Sequence, residues 1–271
     1  MKKLKKITHH LRPCLILFFA VVLMTGCVSH VVELRDAQEH FNTAASLENQ
    51  LKLDVTARDA LTISQQAAVS YRLSLNVLDE LIEKKSHDLK KDGLLGTAYT
   101  LKAMTAWRLG DYGLAMDTIN AIKKDGSIKL FPRDQALAEA LSGLIKNDQA
   151  YLHMMKKDYK FEDIKSLLKD ALTDMAEAIN MTQEDSDLLI YLSMAKMAVL
   201  KNWLDLIGEP SRYALSVPEH YDFPKEKELW CKKAKPAWSA FAANMKSMKH
   251  KDSKDILSWW KGMLNMPESC E

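Results

Sequence analysis

The chain has 271 residues and a formal net charge of +2 at pH 7. Its charges are uneven, because residues 1–26 contain five of the 38 Lys and Arg residues and none of the 36 Asp and Glu residues. The rest of the chain has 33 basic and 36 acidic residues, a net charge of −3, which argues against a nucleic acid as partner. It is long enough to bury one sizeable core or to form one elongated array, and we expect a single extended domain.

The N-terminal segment has the three parts of an export signal. Lysines and an arginine come first, an apolar run from Leu15 to Met24 follows, and the small residues Thr25 and Gly26 end it. The apolar run is about ten residues long, whereas a helix needs roughly 20 to span a bilayer. We therefore expect this segment to be cleaved. Cleavage of an ordinary signal peptide nearby and an uncleaved anchor are the open alternatives.

Five consecutive residues resemble the lipobox of bacterial lipoproteins: Leu23, Met24, Thr25, Gly26 and Cys27. The resemblance implies that residues 1–26 are a signal peptide, that the Cys27 thiol receives diacylglycerol and that its new amine is acylated. Two or three chains anchor a protein firmly, and residues 27–31 would be a short tether. Val28 in place of Asp resembles lipoproteins sorted to the outer membrane. We therefore expect an envelope protein, lipid-anchored on the periplasmic face of the outer membrane.

Two of the four cysteines remain once Cys14 leaves with the signal peptide and Cys27 is lipidated. Cys231 and Cys270 then lie in an oxidising compartment, where two thiols commonly pair. We predict a disulfide that holds the C-terminal tail, the alternative being two separate thiols. Two sulfurs without clustered histidines do not make a zinc site. We expect no metal, and no cofactor besides the acyl chains on Cys27.

Apolar residues recur at spacings of three and four along the rest of the chain, which predicts roughly nine helices and no sustained strands. In the second helix, six apolar residues share one face: Leu61, Ala68, Tyr71, Leu75, Leu78 and Ile82. The sixth and seventh carry apolar stripes, from Ile164 to Met175 and from Leu188 to Leu206. The fifth ends near residue 157. Turns and breaks place the second helix at about 57–85, the third at 94–109 and the fourth at 112–124. The last two helices are placed near 225–247 and 252–265.

Only Gly110 and Asp111 separate the third helix from the fourth, and so short a turn favours antiparallel packing. The residues around it resemble the signature of a tetratricopeptide repeat: Tyr99, Ala103, Gly110, Asp111, Tyr112 and Ala115. The resemblance covers about 30 residues. It implies an all-α fold in which antiparallel helix pairs stack as a tetratricopeptide-like α-solenoid over residues 32–271. A generic helical bundle is the alternative.

The segment from Gly208 to Pro224 is the longest irregular stretch, and it contains Tyr213, Tyr221 and Phe223. Loops of this length are often functional. One interpretation is a lid whose aromatic side chains contact a partner, and the other is a surface crossover held by its own aromatics.

The C-terminal region offers two further features. Nine lysines between Lys225 and Lys254 form either a surface for anionic lipid, cell-wall polymer or an acidic partner, or an ordinary solvated helix face. Trp259 and Trp260 point about 100° apart on a helix, so one suits the core and the other suits either an interface or the core.

The sequence contains no motif of zinc proteases, serine hydrolases or phosphate-binding loops, and we expect no enzyme. Helix-pair arrays resembling tetratricopeptide domains generally bind other proteins. The expected function is a membrane-anchored scaffold or adaptor with a protein partner in the envelope. The alternative is a ligand-binding lipoprotein that cooperates with a solute transporter of the TRAP-associated type. An open groove with exposed aromatic side chains favours the scaffold, and a through-pore or a deep closed cavity favours the alternative.

Overall fold

The structure, a computed structural model, describes residues 29–51, 56–156, 160–182, 185–208, 210–213, 215, 217–247, 253–264 and 270. These residues form helices and turns without a strand, which confirms the predicted all-α class. Cys27 and the lipobox residues before it lie outside the described residues. No helix in the described ranges is both long and apolar enough to cross a membrane.

The described residues form nine α-helices and one short 3₁₀-helix. The α-helices are α1 Ser29–Gln50, α2 Ala57–Lys91, α3 Leu95–Arg108, α4 Tyr112–Lys124, α5 Pro132–Lys156, α6 Phe161–Asn180, α7 Ser186–Gly208, α8 Phe223–Ser247 and α9 Ser253–Leu264. The 3₁₀-helix, Pro210–Tyr213, follows α7. The bounds agree with the sequence prediction to within a few residues, except that α2 continues beyond Lys85. Backbone dihedrals at Lys85 (φ −132°, ψ 21°) kink α2 there.

The chain divides into two compact units. Unit 1 contains Met1–Asp111 and Ile122–Lys129, and its described part holds α1, α2, α3 and the end of α4. Unit 2 contains Tyr112–Ala121 and Leu130–Glu271, with α5 to α9. In unit 1, α2 packs against both α1 and α3, and in unit 2 each helix from α5 to α9 packs against the next one in sequence, as predicted for a chain of helix pairs.

In unit 1, α1 and α2 pack antiparallel. The Ser74 hydroxyl donates a hydrogen bond of 2.8 Å to the carbonyl of Ala37. One turn further along α1, the ring of Phe41 meets that of Tyr71 edge to face, with centroids 5.3 Å apart. The buried residues of α1 lie three or four positions apart, so one stripe of the helix supplies its share of the core.

Two glycines end the helices of unit 1. Gly93 after α2 and Gly110 after α3 have φ angles of +74° and +77°, which favour glycine because it has no Cβ. The N–H of Asp111 donates to the carbonyl of Ala106 at 2.9 Å, closing the glycine-containing cap that commonly ends helices. Gly110 of the repeat-like segment therefore terminates α3.

In unit 2, α5 and α6 pack antiparallel and very close. A Cβ added at Gly143 of α5 would lie only 2.9 Å from the carbonyl oxygen of Ala171 on α6. Nearby, the Lys146 ammonium lies 2.7 Å from the Asp174 carboxylate. Glycine at position 143 is what allows the two backbones to approach this far.

The core of unit 2 extends through α7 and α8 and is held at its C-terminal end by a disulfide. The buried indole N–H of Trp230 on α8 donates to the carbonyl of Leu200 on α7 at 2.8 Å. Cys231, the next residue of α8, is bonded to Cys270, 39 positions later. This disulfide confirms the predicted pairing.

Candidate functional site

A cleft of about 650 Å³ lies between α6, α7 and α8 of unit 2. We call it the three-lysine cleft, because Lys169, Lys196 and Lys233 line it, one from each helix. Its wall is otherwise mainly apolar. Clefts that combine apolar walls with a few charged groups are typical binding sites.

Helical spacing explains how the sequence builds the walls. Residues three or four positions apart lie on the same side of a helix. The wall from α6 consists of Lys169, Leu172, Thr173, Ala176, Ile179 and Asn180. The facing wall from α8 consists of Leu229, Lys233, Pro236, Ala237 and Ala240. Several of these side chains are small, so the helices leave space between them.

Trp203 of α7 forms part of the apolar lining although only 1% of its surface is exposed. The Lys169 ammonium lies 5.2 Å from the centroid of its ring, within the range of a cation–π interaction. Lys169 is also 2.9 Å from a carboxylate oxygen of Glu226, so its charge is compensated within the protein.

The other two lysines differ from Lys169. Among the described residues, no carboxylate forms an ion pair with Lys196 or Lys233. Burial lowers the pKa of Lys196, and the positive charge of Lys233 lowers it further. The cleft therefore holds positive charge that the described part of the protein leaves uncompensated, next to apolar walls. This arrangement is complementary to an anionic group carried on an apolar body.

The aromatic residues of the Gly208–Pro224 segment lie elsewhere. Tyr213 is buried, with 8% of its surface exposed. The ring centroid of Tyr221 lies 4.6 Å from that of Phe161 on α6 and 4.6 Å from that of Phe223. None of Tyr213, Tyr221 and Phe223 lines the three-lysine cleft. Their contacts hold the segment against its own unit.

The Tyr221 ring also takes part in an ionic cluster. The Lys165 ammonium lies 4.8 Å from its centroid, 2.6 Å from Glu162 and 3.7 Å from Glu226. Burial raises the pKa of the Tyr221 phenol, and the negative charges of Glu226 and Glu162 raise it further. The phenol therefore stays neutral at physiological pH.

The remaining residues that the sequence singles out differ in exposure. Only 5% of the surface of Trp260 is exposed, whereas 57% of the surface of the adjacent Trp259 is exposed. In the repeat-like segment, Ala103 and Ala115 are fully buried, while Tyr99 and Tyr112 are half-buried. In the part of the chain that the structure describes, no group of three or more His, Cys, Asp and Glu side chains could hold a metal ion.

Sequence reasoning missed the cleft, although one signal for it was available. Lys196 is the only charged residue between Leu188 and Leu200. A lysine inside such an apolar run is costly to bury, so it points to a site. A comparison of the chain with protein families, with curated proteins and with solved structures found no match.

Proposed function

We propose that this chain is a lipid-anchored protein of the bacterial envelope that acts as an adaptor and holds a partner protein in the three-lysine cleft. The lipobox-like residues up to Cys27 support the anchor. The observation that carries the adaptor role is the open cleft itself, with apolar walls and two lysines that no described carboxylate pairs with. Adaptor binding needs no catalytic group, and we propose none.

The chemistry of the cleft indicates which kind of partner segment fits. Lys196 and Lys233 favour a carboxylate, while Leu172, Trp203 and Leu229 favour apolar side chains beside it. The occupant is therefore a segment with Asp or Glu next to apolar residues. Confinement of both proteins to one membrane raises their effective concentration, so a modest intrinsic affinity suffices.

The anchor is tested by mass spectrometry of the mature protein purified from membranes. We expect an N-terminal peptide that begins at Cys27 and carries a diacylglyceryl group and an amide-linked acyl chain. Cys27→Ala should move the protein from the membrane to the soluble fraction. An unmodified mature N-terminus in the wild type would refute the anchor and leave the cleft to be tested separately.

The cleft is tested by site-specific photo-crosslinking in intact cells. A photoreactive amino acid replaces Leu229 at the rim of the cleft, or Leu61, an exposed leucine of α2, as control. We expect one discrete product from position 229 and not from position 61. The crosslinked peptide of the partner, sequenced by mass spectrometry, should contain an acidic residue beside apolar ones.

Charge-reversal variants make the crosslinking test specific. Lys196→Glu with Lys233→Glu should abolish the product, because the cleft then repels a carboxylate. The matched control reverses the charges of Lys227 and Lys235. Both are exposed on α8, the helix that carries Lys233, and neither lines the cleft. The proposed docking site is refuted if the crosslinked product persists in Lys196→Glu with Lys233→Glu. It is also refuted if the product disappears equally in that variant and in the control.

A second candidate function is the binding of a small anionic amphiphile for a transporter. The cleft volume of about 650 Å³ favours it, because small-molecule sites span roughly 300 to 1,000 Å³. Native mass spectrometry of the protein released gently from its own membranes distinguishes the two. A retained small anion that Lys196→Glu releases, without a crosslinked protein, supports the ligand-binding role.

A further inference from the structure

Lys196 differs chemically from the other two lysines of the three-lysine cleft. It is half-buried on α7, between walls that are mainly apolar. Lys169 is compensated by Glu226, and Lys233 is exposed to solvent. Lys196 has neither a partner among the described carboxylates nor full access to water. An ammonium group in this position loses hydration without gaining a counter-charge.

The carboxylates around the cleft do not change this balance. In the part of the chain that the structure describes, none of them lines the cleft. Two that are adjacent in sequence to lining residues, Asp170 and Glu177, are exposed on α6, and neither raises the pKa of Lys196. Four more are paired with other lysines: Asp174 with Lys146, Asp205 with Lys201, Glu226 with Lys169 and Glu228 with Lys232.

Two causes act on the Lys196 amine in the same direction. Burial lowers its pKa, and the positive charge of Lys233 on α8 lowers the pKa further. At a given pH, a larger fraction of Lys196 than of an exposed lysine is therefore the neutral amine, which has a free lone pair. The protonated form attracts an anion, whereas the neutral form can react. Desolvation and a neighbouring cation are the two arrangements by which proteins activate lysine toward carbonyl compounds.

The rest of the cleft indicates which carbonyl compound fits. The volume of about 650 Å³ admits a small molecule. Lys233 offers a cation for an anionic group, and Leu172, Trp203 and Leu229 offer apolar contact. Imines of small molecules hydrolyse readily in water, so contacts that hold the carbonyl compound in place decide whether an imine accumulates at a given lysine.

We propose that the three-lysine cleft captures an anionic aldehyde or ketone as an imine on Nζ of Lys196, while Lys233 pairs with the anionic group of the ligand. The neutral amine adds through its lone pair to the carbonyl carbon, so that an N–C bond forms. The carbonyl oxygen leaves as water with the two amine protons, and no atom is oxidised or reduced. The bond holds the ligand reversibly and requires no turnover. This proposal rests on the proposed function, in that it needs the cleft to be an open binding site.

The test is reductive trapping on the purified mature chain with two probes. The anionic aldehyde is para-formylbenzoate, and benzaldehyde is its neutral counterpart. Sodium cyanoborohydride reduces an imine to a stable secondary amine, and peptide mapping by mass spectrometry locates the modified lysine. We expect para-formylbenzoate to modify Lys196 faster than Lys227 and Lys235, two exposed lysines of α8 that serve as internal controls.

Two variants make the test specific. Lys196→Arg keeps a cation but cannot form an imine, so the adduct in the cleft should be lost completely. Lys233→Met removes the pairing cation, so the rate with para-formylbenzoate relative to that with benzaldehyde should fall about 2- to 5-fold, the contribution of one exposed ion pair. Lys233→Met should also shift the pH profile of benzaldehyde labelling at Lys196 to higher pH, because the neighbouring cation no longer lowers the pKa of Lys196. Circular dichroism verifies that each variant is folded.

Equal labelling of Lys196 and the two exposed lysines, or an unchanged ratio of the two probes in Lys233→Met, would overturn the proposal. Failure of the adaptor role is a separate result, because it is measured as a missing crosslink from position 229 in cells. Selective labelling of Lys196 on the purified chain supports imine capture even in that case.

Discussion

Replacement of Gly143 by alanine tests the close contact between α5 and α6. The new Cβ would lie 2.9 Å from the carbonyl oxygen of Ala171, 3.0 Å from Cε of Met175 and 3.1 Å from Cβ of Asp174. The methionine can move aside, but the backbone carbonyl of α6 cannot. Helix α6 must therefore shift away from α5 to accommodate one methyl group.

Two opposing effects set the magnitude. Alanine in a helix interior is favoured over glycine by about 1 kcal/mol. Insertion of a methyl group into a packed interface costs typically about 1–3 kcal/mol. We expect Gly143→Ala to lower the free energy of unfolding by roughly 1–2 kcal/mol, because the blocking atom belongs to the backbone. Gly262 in α9 is the matched control, since a Cβ there meets no atom within 4 Å.

The assay is urea unfolding followed by far-ultraviolet circular dichroism on both variants and the wild type. Gly262→Ala should be neutral or more stable by up to about 1 kcal/mol, because only the helix propensity changes. If Gly143→Ala stabilises the protein as much as Gly262→Ala does, the backbones of α5 and α6 are not in the close contact described above. A displaced α6 should also weaken capture by the three-lysine cleft, which Gly262→Ala should leave intact.

Three other perturbations have defined outcomes. Replacement of both Cys231 and Cys270 by serine opens a 39-residue loop and should lower the free energy of unfolding by up to about 4 kcal/mol, measured by urea unfolding. Reduction of the disulfide in the wild type should lower it by the same amount. Because the pKa of Lys196 is lowered in the fold, the unfolded chain binds more protons between that pKa and 10.5. The free energy of unfolding of the wild type should therefore rise with pH across that interval, measured by thermal melting at a series of pH values. Lys196→Met should be more stable than the wild type at pH 7 and should not show this rise. Lys85→Ala removes the contacts of the ammonium with Ser29 and Glu33, so it should lower the free energy of unfolding by about 1 kcal/mol and accelerate hydrogen exchange in the first turns of α1. Unchanged exchange there would show that these contacts do not hold α1.

Periodicity predicted the helices well where burial is one-sided. The stripe from Ile164 to Met175 lies on the core side of α6, and that from Leu188 to Leu206 does so in α7. Each of these helices has neighbours that cover its apolar stripe, so the sequence pattern and the packing coincide.

The pattern was less informative in α2. The sequence predicts an end near residue 85, and the backbone does leave helical geometry at Lys85, but a further helical stretch follows to Lys91 and buries Leu89. The contacts of Lys85 and Asp92 with α1 hold this last part, which local sequence does not reveal. Leu61 shares the predicted apolar face, but it is 62% exposed. Spacing identifies a face and does not show whether another helix covers it.

The three-lysine cleft lies beyond single-sequence reasoning for a related reason. Its lysines are contributed by three helices, and spacing within one helix contains no information on the distance between two. What the sequence does contain is a local inconsistency at Lys196, a charge in an apolar run of α7. Such a residue lowers stability unless a ligand compensates its charge, and residues of this kind concentrate at functional sites. A gain in stability together with a loss of capture in Lys196→Met would therefore show that the lysine is retained for binding.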